Sequence, residues 1–154
     1  MKWASLSALA WFVALGTVGF ANAEDPAGSL SLTQWVHISE PNGGGETTSV
    51  FYGPGDAMSV EGNGSMNNPE GHEYVTMGVR WIWLREGPVV ISGNEVTTSV
   101  PGGSMDNLSP TISLMVPVGY EDTYYCLVQL YYVNFSDEET EHLLDTQSFV
   151  FADN

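Results

Sequence analysis

Two runs of alternating residues, joined by four that break the pattern, constrain this chain more than anything else in it. In residues 111–118 the apolar positions are Ile112, Leu114, Val116 and Val118, with Thr111, Ser113, Met115 and Pro117 between them. A period of two is that of a strand with one buried face. Gly119, Tyr120, Glu121 and Asp122 interrupt the run, as a turn does. Residues 123–133 are then rich in β-branched and aromatic types, which favour a strand. One side of this second run carries Tyr124, Cys126, Val128, Leu130 and Tyr132 without a charge or an amide, and is assigned to the core. The other side carries Thr123, Tyr125, Leu127, Gln129, Tyr131 and Val133. Its mixed character assigns it to the outside.

A third strong run covers residues 73–85. Val75, Met77, Val79, Trp81 and Trp83 share one side, and Thr76, Gly78, Arg80, Ile82 and Leu84 the other. The apolar sides of residues 75–83 and 124–132 are expected to face each other across a dry interior. Weaker alternation marks shorter strands at 29–38, 47–52, 57–62, 89–91, 95–100 and 143–151. Residues 24–29 read as a polar leader, while 63–71 and 101–110 read as long loops, because Gly, Asn and Pro dominate them. Beyond the N-terminal segment nothing sustains a helical period. About seven strands with frequent turns predict an all-β antiparallel sandwich or barrel.

The first 23 residues differ from the rest. Lys2 precedes an uncharged apolar stretch over residues 3–20, and Ala21-Asn22-Ala23 follows with small residues at a cleavable site. This is the pattern of a helical signal peptide. It predicts a secreted or periplasmic protein whose single domain spans residues 24–154. Loss of Lys2 with the leader leaves Arg80 and Arg85 as the basic residues against 19 acids, a net charge of −17. Such a surface repels phosphate backbones and anionic headgroups. Nucleic acid is thereby excluded as a partner, and no membrane contact is expected after cleavage. The one cysteine, Cys126, falls on a core face and reads as a small buried hydrophobe. A chain of this size holds together by packing without a disulfide.

Glu121-Asp122-Thr123-Tyr124-Tyr125-Cys126 resembles the entry to strand F of immunoglobulin-like domains. In that superfamily a tyrosine two residues before a cysteine bonds through its hydroxyl to backbone upstream, the tyrosine corner. The resemblance places Tyr124 there. It also likens the Trp-rich strand at 79–84, with Arg85-Glu86-Gly87 after it, to strand C, with Trp81 or Trp83 as the buried indole. The partner cysteine of strand B is missing, so an inter-sheet bridge is ruled out. The resemblance implies an immunoglobulin-like sandwich of about seven strands and leaves function open.

The residues that carry chemistry show no catalytic pattern. His37, His72 and His142 lack metal-ligand spacing, and the methionines form no paired motif. The acids Asp137, Glu138, Glu139 and Glu141 read as a solvated turn rather than a calcium loop. Serines stand outside any G-x-S-x-G context. No catalytic residue, metal or cofactor is therefore assigned. The best candidate surface is the outer side of strands C and F, carrying Arg80, Ile82, Leu84, Tyr125, Leu127 and Tyr131. Tyrosine and arginine are favoured at interfaces. The leading expectation is a non-catalytic module that uses this face to bind a protein or glycan partner, or to self-assemble. Two alternatives stand beside it. One is a carrier or enzyme with a pocket between the sheets, lined by Trp81, Trp83, Tyr124 and Tyr132. The other is a structural component of a surface assembly, joined through an edge strand at residues 30–38.

Overall fold

A computed structural model describes residues 25–134 and 140–154. The leader assigned to residues 1–23 and the acids Asp137, Glu138 and Glu139 lie outside the described residues. What is described is two β-sheets. Ten strands occur among the described residues: β1 (Ala27–Ile38), β2 (Gly45–Thr47), β3 (Phe51–Tyr52), β4 (Ala57–Asn68), β5 (Val75–Arg85), β6 (Val89–Val100), β7 (Ser104–Leu108), β8 (Ile112–Met115), β9 (Tyr124–Asn134) and β10 (Thr140–Asp153). A single turn of 3₁₀ helix, Glu40–Asn42, follows β1.

The first sheet runs β2-β1-β4-β7, and β8 pairs with β4 as well. β1 lies along one edge of β4 from Ala57 to Asn67. The other edge is shared: β8 takes residues Ala57 to Val60 and β7 takes Gly64 to Asn68. The second sheet runs β3-β10-β9-β5-β6, antiparallel except for β3 beside β10.

Several expectations change. The apolar sides of β5 and β9 do not oppose each other across the interior. The two strands are hydrogen-bonded neighbours, from Thr76 opposite Val133 to Arg85 opposite Tyr124. Their apolar sides stand side by side, and the buried set they join includes Leu30, Val36, Met58, Val60 and Met66 from the first sheet. The loop predicted at 63–71 is a strand as far as Asn68. Its glycines are what make that possible. At Gly64 a Cβ would sit 2.9 Å from Val79 Cγ2 and 3.2 Å from Leu130 Cδ1 on the opposite sheet. The missing side chain lets the sheets approach there. The polar leader is strand from Ala27, where β1 starts, and part of the loop at 101–110 is β7, which β4 holds in register. The strands at 89–91 and 95–100 are one strand, with a register shift opposite Trp83 and Leu84.

The edge expected at residues 30–38 is not open along its length. β2 pairs with Val36, His37 and Ile38. Further back, side chains of β10 reach over: Leu30 N–H donates to Asp145 Oδ2 at 2.8 Å, and Gln147 Nε2 donates to the Leu30 carbonyl at 3.0 Å. Backbone groups that would template a foreign strand are thus occupied at Leu30.

The interior is aromatic at one end. Trp83 is fully buried with its ring 5.5 Å from that of Phe151, and Tyr124 meets Tyr52 edge-on at 6.0 Å. Trp81 and Tyr132 are buried too, with His142 stacked on Tyr132 at 4.6 Å. These are the side chains expected of a pocket lining, and they belong to the packed core.

Candidate functional site

The pairing of β5 with β9 fixes the candidate face. Gly78 lies opposite Tyr131, Arg80 opposite Gln129, Ile82 opposite Leu127, and Leu84 opposite Tyr125. All six residues expected at the surface are therefore brought to one side of one sheet. They are not equally open. Ile82, Leu84 and Tyr131 are buried, Tyr125 and Leu127 are half-buried, and the Arg80 side chain keeps 11% of its surface. Ile82 sits between Leu127 and Gly93, and Leu84 between Tyr125 and Val90. The outer side of a mid-sheet strand is therefore not solvent-exposed along its length. Alternation within one strand does not reveal that.

Arg80 organises the polar half of the face. Its Nε donates to Gln129 Oε1 at 2.9 Å, and its Nη1 lies 2.7 Å from Glu141 Oε1. The guanidinium carbon is 4.7 Å from the centre of the Tyr131 ring. A cation over a partly desolvated ring is held by the ring quadrupole, a contribution of about 0.5–2 kcal/mol. The Tyr131 hydroxyl in turn donates to Glu95 Oε2 at 2.7 Å. Burial pushes the Tyr131 phenol well above its ordinary value, and the hydrogen bond to Glu95 adds to the rise. The phenol therefore keeps its proton and serves as a donor across the physiological range.

Gly78 completes the arrangement. A Cβ at that position would run into the Tyr131 ring. The tyrosine can lie flat over the strand only because residue 78 has no side chain.

Among the described residues, two polar atoms on this face are buried without a partner: Gln129 Nε2 and Thr146 Oγ1. They belong to residues directly opposite each other on β9 and β10. A buried donor left unpaired costs about 1–3 kcal/mol. Glu95, Glu141 and Thr146 were not legible as site residues. They come from β6 and β10 and meet the face only through strand register. Gln129 could be placed on the face from alternation, but its neighbours could not.

Elsewhere, the three histidines stand on β1, in the β4–β5 loop and on β10. Among the described residues no group of three or more His, Cys, Asp or Glu side chains is arranged to hold a metal ion, and no helix is long and apolar enough to cross a membrane.

No family model matches the chain, and no curated protein matches it. Among solved structures it is similar to one titled the crystal structure of the C-terminal domain of wzt. That match has 11% identity and a TM-score of 0.44, and covers 92% of this chain and 84% of that one.

Proposed function

We propose that this protein is a secreted binding module with an immunoglobulin-like arrangement, and that its partner is a hydroxyl-rich ligand, a glycan, held on the outer face of β5, β9 and β10. The observation that carries the reading is the half-buried pair Tyr125 and Leu127 on the same face as the Arg80–Tyr131 stack. Half-buried Tyr125 and Leu127 offer apolar area to the less polar face of a sugar ring. With 19 acids in the chain, an anionic glycan is repelled, so the ligand is neutral or basic.

The arrangement of β5 and β9 in the places of strands C and F is supported by two contacts. Tyr124 donates its hydroxyl to the Tyr120 carbonyl at 2.7 Å, the upstream bond of a tyrosine corner. Trp83, fully buried, lies directly opposite Cys126.

The test is titration of the purified protein with neutral oligosaccharides by calorimetry or array. Tyr125→Ala and Leu127→Ala should weaken binding by about 10-fold or more while thermal unfolding stays cooperative. Equal affinity of both variants and the parent would remove the face from consideration. N-terminal sequencing of protein recovered outside the cytoplasm tests the export half of the reading. A start at or near Glu24 is expected.

A further inference from the structure

A second constellation lies on the other sheet. His37 on β1, Ser59 on β4 and Glu46 on β2 come together on its outer side. Ser59 Oγ is 2.8 Å from His37 Nε2, and His37 Nδ1 is 3.1 Å from Glu46 Oε1. Glu61 Oε1 stands 3.5 Å from the same Nε2 and accepts a hydrogen bond from the Ser59 hydroxyl at 3.2 Å. The group borders a groove of about 380 Å³, lined by His37, Ser59 and Glu61 and by Ser109, Thr111 and Ser113.

The chemistry of these groups assigns the proton positions. An ionised glutamate can only accept. The Nδ1 that meets Glu46 must therefore carry hydrogen. In neutral imidazole this leaves Nε2 as an acceptor; the one Ser59 hydroxyl proton lies between it at 2.8 Å and Glu61 Oε1 at 3.2 Å, and the shorter contact is the one to Nε2. That is the tautomer a general base needs next to a nucleophile, with a third group holding the ring. Glu61 faces the Nε2 that becomes positive once it takes the proton.

We infer that Ser59 is an activated nucleophile, with His37 as its general base and Glu46 as a positioning residue, and that the groove takes small neutral carboxylic esters. Ser59 Oγ bonds to the acyl carbon as its proton passes to His37 Nε2. The ester C–O bond breaks, and the departing alkoxide takes that proton and leaves as the alcohol. Water then adds to the acyl carbon and gives a proton to Nε2. The acyl–Oγ bond breaks, Oγ recovers the proton, and a carboxylic acid is released. The groove volume suits a short acyl chain. Glu61, more than half exposed at the groove, disfavours anionic esters. This inference uses none of the β5–β9 face and stands apart from the binding function.

A fluorophosphonate probe with peptide mass spectrometry tests it on the whole folded protein. An adduct on Ser59 is expected, and urea-unfolded protein should give none. His37→Gln should slow labelling and hydrolysis of p-nitrophenyl acetate by about 100-fold or more. Glu46→Gln should lower kcat with KM unchanged, and Glu46→Asp should restore part of it. Ser59→Cys, close in size to the parent, should exchange phosphonate reactivity for reactivity with iodoacetamide and lose the latter on His37→Gln. Absence of an Ser59 adduct in folded protein, or labelling that ignores His37→Gln, would overturn the inference.

Discussion

The Tyr52 hydroxyl closes two hydrogen bonds with one residue 70 positions away: it donates to the Asp122 carbonyl at 2.6 Å and accepts the Asp122 N–H at 2.7 Å. β3 is two residues long and, among the described residues, pairs with β10 alone. This contact ties it to the turn that leads into β9. Tyr52→Phe keeps the ring in place against Tyr124 and strands both Asp122 groups. A loss of about 1–3 kcal/mol is expected from urea unfolding. Tyr124→Phe removes a single bond, to the Tyr120 carbonyl. It should cost about 1 kcal/mol. A reversed order would mean that the Asp122 backbone finds water when Tyr52 lets go.

Gly78 and Tyr131 are predicted to be energetically coupled. Gly78→Ala forces the Tyr131 ring off the strand, away from Arg80 and Glu95. Overpacking of this kind costs about 1–3 kcal/mol. In the background Tyr131→Ala the added methyl has room, and its cost should fall by more than half. A double-mutant cycle by chemical denaturation measures the difference. Additive losses would show that the ring moves aside freely.

Asp56 gives the protein an acid-sensitive joint. Its buried carboxylate takes the Ser39 N–H and the Gly53 N–H, each at 2.8 Å. Burial alone would raise its proton affinity, but the hydrogen bonds from Ser39 and Gly53 outweigh burial and hold it below the ordinary carboxylate value. The unfolded chain therefore binds the proton first as pH falls. Stability from this group is complete above about pH 4 and is lost as pH drops through the lower folded value. Asp56→Asn should be less stable than the parent at pH 7, and its urea midpoint should change less between pH 5 and pH 2.5. Parallel pH profiles for the two proteins would refute the assignment.

The side chains that guard the β1 edge are also open to test. Asp145→Ala leaves the Leu30 N–H without its acceptor. A stability loss of about 1–3 kcal/mol is expected. With the edge uncovered, concentration-dependent association should appear by light scattering. Monomeric behaviour at all concentrations would show that the edge is protected by other means.

How much of this could be read beforehand varies with the local chemistry. β5 and β9 were legible because β-branched and aromatic residues alternate over ten or so positions, and the sides expected in the core are there, but Ile82, Leu84, Gln129 and Tyr131 on the opposite side are buried as well. The second half of β4 and all of β7 were not. Gly62, Gly64, Asn67 and Asn68 have no strand preference of their own, and Ser104 to Leu108 is ordered by pairing with them. β6 was divided at Gly93 and Asn94, where turn residues sit within a continuous ladder opposite Ile82 and Trp81. The same limit applies to sites. Arg80, Ile82, Leu84, Tyr125, Leu127 and Tyr131 meet because their two strands are adjacent, which a parity argument can anticipate. His37, Glu46 and Ser59 meet because three strands are set side by side in one register, and no spacing in the chain announces it.

The single thiol has a practical consequence. Cys126 is wholly enclosed, free of any disulfide, and burial pushes its proton affinity far above the usual thiol range. Alkylating reagents need both access and a thiolate, so the native molecule should ignore them until it opens. The wild-type chain thus carries its own stopwatch. The rate at which iodoacetamide consumes Cys126 counts excursions out of the folded state, one molecule at a time, with no label to introduce.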